Sequence, residues 1–114
     1  MRDYIIYLND ILSSINKIEK AIKNVKSFQE LDEIVIDGIL RNLEIVGEAA
    51  KSLPEEFKNL HKDVPWKEIV ALRNILVHEY FGIDYEIIWN ILIRDLPNIK
   101  PKIERLIKGY NKEV

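Results

Sequence analysis

Apolar residues recur at alternating spacings of four and three along most of the chain, and this pattern constrains the fold more than any other feature. In the first segment the recurring residues are Tyr4, Leu8, Ile11, Ile15, Ile18, Ile22 and Val25, with charged residues between them. Such spacing places the apolar side chains on one side of an α-helix. The pattern therefore predicts an amphipathic first helix, with Ser27 marking its end and capping the next segment.

A second helix is predicted from about Leu31 to Leu53. Its apolar stripe consists of Ile36, Ile39, Leu43, Val46, Ala50 and Leu53. Gly47 lies within one turn of this stripe, where a missing side chain lets another helix approach closely. Glycine lowers the stability of the helix by about 1 kcal/mol relative to alanine. Pro54 then ends the helix, because proline removes a backbone donor and restricts the residue before it.

The segment between Pro54 and Pro65 is predicted to hold one short helix. Pro65 opens a third main helix, which runs from Trp66 to about Tyr80 and ends at Gly82.

Asp84 is expected to cap a fourth main helix that continues to the C-terminal end of the sequence. Its apolar residues are Tyr85, Ile88, Leu92, Leu96, Ile99, Ile103, Leu106 and Tyr110. Pro97 and Pro101 fall inside this pattern, so a kink or a short break is expected there.

These elements predict one all-α domain over residues 1–114, with four main helices and a short one in an antiparallel up-and-down bundle. The apolar stripes are wide. Ile5 and Leu12 flank the first stripe, and Ile34, Val35 and Leu40 flank the second. Surplus apolar surface on a small domain favours a homodimer, although a well-filled monomer core would use the same residues.

Composition excludes several classes of protein. The 114 residues contain no cysteine, which rules out disulfides and cysteine-based zinc sites and favours the cytoplasm. Neither a signal peptide nor a membrane-spanning apolar run is visible. The net charge of −2 argues against a protein held on nucleic acid by bulk charge alone, but it allows local contacts with a few phosphates.

Residues whose side chains could take part in catalysis are concentrated between Arg73 and Tyr80 of the third main helix. At about 100° per residue, Asn74 and His78 share one face of this helix, away from the apolar stripe of Ile69 and Leu72. Arg73 lies about 140° from His78, so a long side chain or a second chain would be needed to bring them together.

This combination suits cleavage of RNA. Histidine transfers protons near neutral pH, and the planar guanidinium of arginine fits phosphate oxygens. RNA carries its own nucleophile, the 2′-hydroxyl, so a site needs a base, an acid and positive charge. One His78 supplies one proton-transfer role, and two copies across a dimer axis would supply both. The alternative is that His78 simply favours the helix dipole and that Arg73 is a solvated surface residue.

The segment Arg73-Asn74-x3-His78-x-Tyr80 resembles the Arg-x4-His-x-Tyr motif of the HepT toxins, a branch of the HEPN superfamily. The resemblance extends over nearly the whole chain. Its flanking segments are Arg41–Ala49, Pro65–Ile69, Ile83–Trp89 and Asp95–Pro97. Glu79 is a mild departure, because it stands where the family often has a small residue.

The resemblance implies a toxin of a type VII toxin–antitoxin system: a homodimeric, metal-independent endoribonuclease with the motif helices facing each other across a cleft. His78 would be the general base or acid, Arg73 would stabilise the phosphorane, and Asn74 would be the polar residue beside it. Neither a cofactor nor a metal is implied. The implied partner is a minimal nucleotidyltransferase antitoxin of the MntA type, which silences the toxin by transferring AMP to Tyr80. A phenol is a reasonable acceptor for such a group, although Tyr80 could equally be a packing aromatic.

Other charged residues have weaker interpretations. Arg41, Glu44 and Glu48 could line the cleft, and Glu44 and Glu48 repel each other unless a cation such as Arg73 pairs with them. The basic C-terminal helix could guide RNA, but a solvated face is the simpler explanation. Trp66 and Trp89 are expected to be core anchors, and His61 is not expected to bind metal.

A second function remains open from the sequence. The same fold could be a non-catalytic module that docks a nucleotidyltransferase or binds a nucleotide, with the motif only positioning a phosphate. His78 separates the two hypotheses, because only the enzyme requires a titrating group there.

Overall fold

The computed structural model describes the backbone of residues 2–78 and 84–112 and the side chains of residues 4–74 and 84–110. Over these residues it has only helical elements. The α-helices are α1 (Arg2–Ile22), α2 (Glu33–Ser52), α3 (Glu55–Leu60), α4 (Trp66–His78), α5 (Tyr85–Asn90) and α6 (Leu96–Lys112). The predicted all-α bundle of four main helices and a short one is confirmed, because α5 and α6 belong to one continuous helical segment.

The first helix ends earlier than the sequence predicts. It stops at Ile22, and Asn24 adopts a left-handed backbone conformation with φ of 63°. Asparagine tolerates this conformation better than most residues and commonly follows a helix end. Ser27 precedes a short 3₁₀ turn (Phe28–Glu30) without a capping hydrogen bond from its side chain. The prediction that Ser27 marks the end of the helix is therefore wrong.

Capping side chains begin two of the helices. The Asp32 carboxylate accepts a hydrogen bond from the backbone N–H of Val35 at 3.1 Å, which starts α2. The Asp84 carboxylate accepts from the N–H groups of Glu86 and Ile87, which confirms its predicted role at the start of α5. Each cap satisfies donors that have no partner within the helix.

The C-terminal helical segment passes through both of its prolines. A π-helical turn (Ile91–Asp95) joins α5 to α6, and the N–H of Leu96 donates to the carbonyl of Ile91. Pro97 lies immediately after this turn, and Pro101 lies inside α6. The helix therefore has no break at either proline, and its irregular hydrogen bonding lies just before them.

The core is formed by the predicted stripes. In the described chain, α2 packs against both α1 and α4, and α1 also packs against α6. Leu8, Ile11 and Ile15 of α1 are fully buried, as are Leu43 and Val46 of α2. Trp66 is buried and Trp89 packs against the core, as expected for core anchors. None of the helices in the described ranges combines the length and apolar character that crossing a membrane requires.

Two lysines of the C-terminal basic helix contact other parts of the bundle. Lys100 donates a 2.6 Å hydrogen bond to Glu19 of α1, and this contact raises the pKa of Lys100. Lys102 donates to the backbone carbonyl of Asp63 at 2.8 Å. Both side chains therefore hold α6 to the rest of the bundle.

Candidate active site

Helices α2 and α4 lie close together where Gly47 faces Arg73. An alanine Cβ at position 47 would lie 2.7 Å from the backbone nitrogen of Arg73 and 2.9 Å from its Cβ. Such distances are shorter than van der Waals contact, so only glycine fits without a shift of the helices. The sequence prediction of a close helix approach at Gly47 is confirmed, and the helix that approaches is the one carrying the motif.

The close approach brings Glu48 to Arg73. The Nε atom of Arg73 donates a hydrogen bond to the Glu48 carboxylate, forming an ion pair between side chains 25 positions apart. The Arg73 side chain is 31% exposed and that of Glu48 is 48% exposed, so the pair lies at the surface and is accessible to a ligand. The hypothesis that an acidic residue of α2 pairs with Arg73 is confirmed for Glu48.

The other acidic residue of this face has a different partner. Glu44 accepts a hydrogen bond from Arg41 at 2.5 Å, one turn earlier on the same helix. The two acids are thus each compensated by an arginine, which relieves their mutual repulsion. The structure brings Glu48 to the motif helix, whereas the described contacts of Arg41 and Glu44 stay within α2.

The remaining motif residues are only partly described. Asn74 is exposed on α4, next to Arg73 in sequence. His78 is the last described residue of α4, and its side chain lies outside the described residues. Tyr80 and Gly82 also lie outside them. The predicted proximity of His78 and Tyr80 to Arg73 therefore remains a prediction.

Sequence reasoning missed a groove beside Asn74, which has a volume of about 900 Å³. Three exposed lysines from separate segments line it: Lys51 at the end of α2, Lys62 in the connection and Lys67 at the start of α4. Lys67, Ala71 and Asn74 recur at the i, i+4, i+7 spacing of one helix face, a signal that the sequence already carried.

Described residues do not offer a metal site. Within the described ranges, groups of three or more histidine, aspartate or glutamate side chains that could hold an ion do not occur. His61 instead packs against Phe57, with ring centroids 4.7 Å apart, and its Nε2 lies 3.4 Å from the Tyr110 hydroxyl. His61 is therefore part of the aromatic packing at one end of the bundle.

The described chain is an all-helical bundle in which an arginine–glutamate pair joins α2 to the motif helix, and comparison with known proteins identifies its family. The model of the family described as Ribonuclease HepT-like matches residues 11–106. The chain belongs to this HepT-like ribonuclease family of HEPN proteins.

Relatives of similar length support this membership. A Thermococcus cleftensis protein named Probable ribonuclease HepT is 38% identical over 104 residues, covering 90% of this chain and 94% of the relative. A Methanocaldococcus jannaschii protein provisionally named as an RNase is 42% identical over 114 residues, covering 98% of this chain and 93% of the relative. A similarly named protein of Caldanaerobacter subterraneus is 38% identical over 104 residues, covering 90% of this chain and 92% of the relative. The chain does not match any solved structure.

Proposed function

We propose that this protein is a metal-independent endoribonuclease that acts as the toxin of a type VII toxin–antitoxin system. The observation that carries the proposal is the surface ion pair of Arg73 with Glu48, next to Asn74 on the helix that also carries His78. The membership in a ribonuclease family supports the same reaction.

The proposed reaction uses the nucleophile of the substrate. A base removes the proton of the 2′-hydroxyl, whose oxygen attacks the adjacent phosphorus, and the bond from phosphorus to the 5′-oxygen breaks. An acid gives that oxygen a proton. His78 takes one of these roles in each copy of a homodimer, and the products carry a 2′,3′-cyclic phosphate and a 5′-hydroxyl.

Arg73 has the geometry to stabilise the charge that develops on phosphorus. Glu48 holds the Nε edge of the guanidinium, and the two terminal nitrogens carry four further N–H groups that fit phosphate oxygens. Because one edge is anchored, the other is oriented before the substrate arrives.

The test is cleavage of end-labelled RNA by the purified protein in EDTA, with Tyr80 shown by mass to be unmodified. Cutting that leaves cyclic-phosphate ends is expected. Absence of cutting by the unmodified, folded protein would contradict the proposal and favour the docking module.

Glu48→Ala is expected to reduce cleavage by about 10- to 100-fold, because Arg73 would lose the contact that orients it. The melting temperature should change little, since exposed ion pairs contribute about 0–1 kcal/mol. Glu44→Ala is the matched control: it removes the same carboxylate one turn away, where the partner is Arg41. Equal losses of activity in the two variants would contradict a specific role for Glu48.

The proposed partners are a second copy of the chain and a minimal nucleotidyltransferase antitoxin. Exposed apolar side chains, including Ile34 (82% exposed) and Ile87 (55% exposed), are consistent with a further protein contact. In the antitoxin reaction the phenol oxygen of Tyr80 would attack the α-phosphate of ATP and release pyrophosphate. The bound AMP would bring a phosphate to the site of Arg73 and exclude RNA.

Tyr80→Phe is expected to cleave RNA at close to the parental rate and to escape silencing, because phenylalanine lacks the acceptor oxygen. Incubation with the antitoxin and ATP, followed by intact-mass measurement, should show an added AMP on the parent alone. Addition of AMP to the phenylalanine variant would show that the acceptor is another residue.

A further inference from the structure

We infer that the groove beside Asn74 is the track along which the RNA strand reaches the active site, an inference that rests on the proposed function. The groove is continuous with the motif helix, because Lys67, Ala71 and Asn74 line it along one face of α4. From Lys67 to Asn74 the helix axis advances about 10 Å. Arg73 does not line the groove itself, but a strand lying in the groove would reach the turn of α4 that carries Arg73, next to Asn74 in sequence.

The charges in the groove favour a polyanion. Lys58 and Glu55 pair with each other at 3.3 Å, and Lys58 also donates to the carbonyl of Ala50, so this lysine serves the fold. The charged lining residues that remain are Lys51, Lys62, Lys67 and Glu68, which give a local charge of +2 (three lysines minus one glutamate). This excess stands out on a chain whose net charge is −2.

The three lysines are available for phosphate contacts. Lys51, Lys62 and Lys67 are exposed, and none of their side chains has a hydrogen bond or ion pair within the described part of the chain. By contrast, Lys100 and Lys102 of the basic C-terminal helix are held by Glu19 and by the carbonyl of Asp63. Two lysines of that helix therefore serve the fold, whereas the groove brings three lysines without a described side-chain partner beside the motif helix.

The floor of the groove has the apolar character that bases require. Pro65 and Val70 are half-buried and line it between the lysines. Single-stranded nucleic acid is commonly held by a basic groove that follows the backbone and by aromatic side chains on which the bases stack. Pro65 and Val70 are aliphatic, so contacts with the phosphates would dominate in this groove. Trp66 also lines the groove, but its side chain is largely buried and its N–H donates to the carbonyl of His61, so the indole offers little surface for stacking.

The experiment measures binding rather than cleavage. A fluorescent RNA oligonucleotide with 2′-O-methyl groups lacks the nucleophile and cannot be cut, so its affinity reports binding without cleavage. The triple variant Lys51→Gln, Lys62→Gln, Lys67→Gln is compared with the parent at several salt concentrations. Each phosphate contact with a single strand contributes about 0.7 to the slope of log K against log salt. Loss of the three contacts therefore predicts that the slope becomes shallower by about 2. Over a fourfold increase in salt, the binding constant of the variant should fall by roughly 20-fold less than that of the parent.

Two further variants separate the groove from bulk charge. The first is a second triple variant, Lys17→Gln, Lys20→Gln, Lys23→Gln. It removes the same charge from exposed positions in and just after α1, and it should keep the parental slope. Replacing the three groove lysines with arginine keeps the charge and should also keep the slope. Equal slopes for the groove and α1 glutamine variants would overturn the inference. Parental binding by the groove variant would do the same and would assign its lysines to another partner, such as an acidic protein surface.

The outcomes are distinguishable from failure of the proposed function. If the parent cuts RNA but the groove glutamine variant binds like the parent, the RNA track is wrong and the ribonuclease stands. If the groove lysines control binding but the parent cuts no RNA, the nuclease proposal fails and the track stands as an RNA-binding surface.

Discussion

Replacing His78 with alanine is expected to reduce RNA cleavage by about 10²- to 10⁴-fold, the usual contribution of one general acid or base. Position 78 lies in α4, and alanine is a strong helix former, so the helix should remain intact. A cation near a helix end contributes only about 0.3–1 kcal/mol, which limits the effect on stability. The loss should therefore appear in the rate and not in the melting temperature.

The chain offers a matched control, because it contains only two histidines. His61→Gln removes the other imidazole, which lies in the aromatic packing of Phe57 and Tyr110. This variant should lose some stability and retain cleavage, the reverse of His78→Ala. Cleavage by folded His78→Ala at the parental rate would remove His78 from the reaction, and the pH dependence of the rate would then belong to another group.

The helices themselves could be predicted because local patterns determine them. The alternation of apolar residues in α1 and α2 is a property of neighbouring positions, and the caps at Asp84 and Pro65 act within one turn. The end of α1 was missed because it depends on the left-handed conformation of Asn24, which asparagine permits but does not require. The π-helical turn before Pro97 could not be predicted either, because it is one of several ways in which a helix accommodates a proline.

The candidate site could be predicted only as far as neighbouring residues determine it. Periodicity indicated that Glu44 and Glu48 share a face and that one of them could meet Arg73, but only the packed helices select Glu48. The groove was missed because Lys51, Lys62 and Lys67 come from three separate segments. Their convergence depends on the packing of α2 against α4, which no local pattern specifies.

Gly47→Ala is expected to destabilise the protein, although alanine favours a helix by about 1 kcal/mol over glycine. The added Cβ would lie 2.7 Å from a backbone nitrogen of α4, and a backbone atom cannot move aside as a flexible side chain can. Forcing extra volume into a packed interface typically costs about 1–3 kcal/mol and occasionally more. The overpacking should therefore outweigh the gain in helix propensity, and denaturant unfolding should show a lower midpoint.

Gly38→Ala is the control within the same helix. An alanine Cβ at position 38 would have nothing within 4 Å, so the propensity term acts alone and should raise stability by about 1 kcal/mol. The two substitutions thus have opposite predicted signs despite identical chemistry. A gain of stability in both would mean that α2 and α4 do not approach as closely as the structure shows.

The same substitution connects the packing to the proposed chemistry. If α2 and α4 move apart at Gly47, the adjacent Glu48 moves away from Arg73, and an orientation error of about 1 Å can cost about 100-fold in rate. Gly47→Ala should therefore lose more cleavage activity than its folded fraction explains, whereas Gly38→Ala should keep the parental rate. Cleavage by Gly47→Ala in proportion to its folded fraction would show that the reaction tolerates displacement of Arg73, and the ion pair would then serve only the fold.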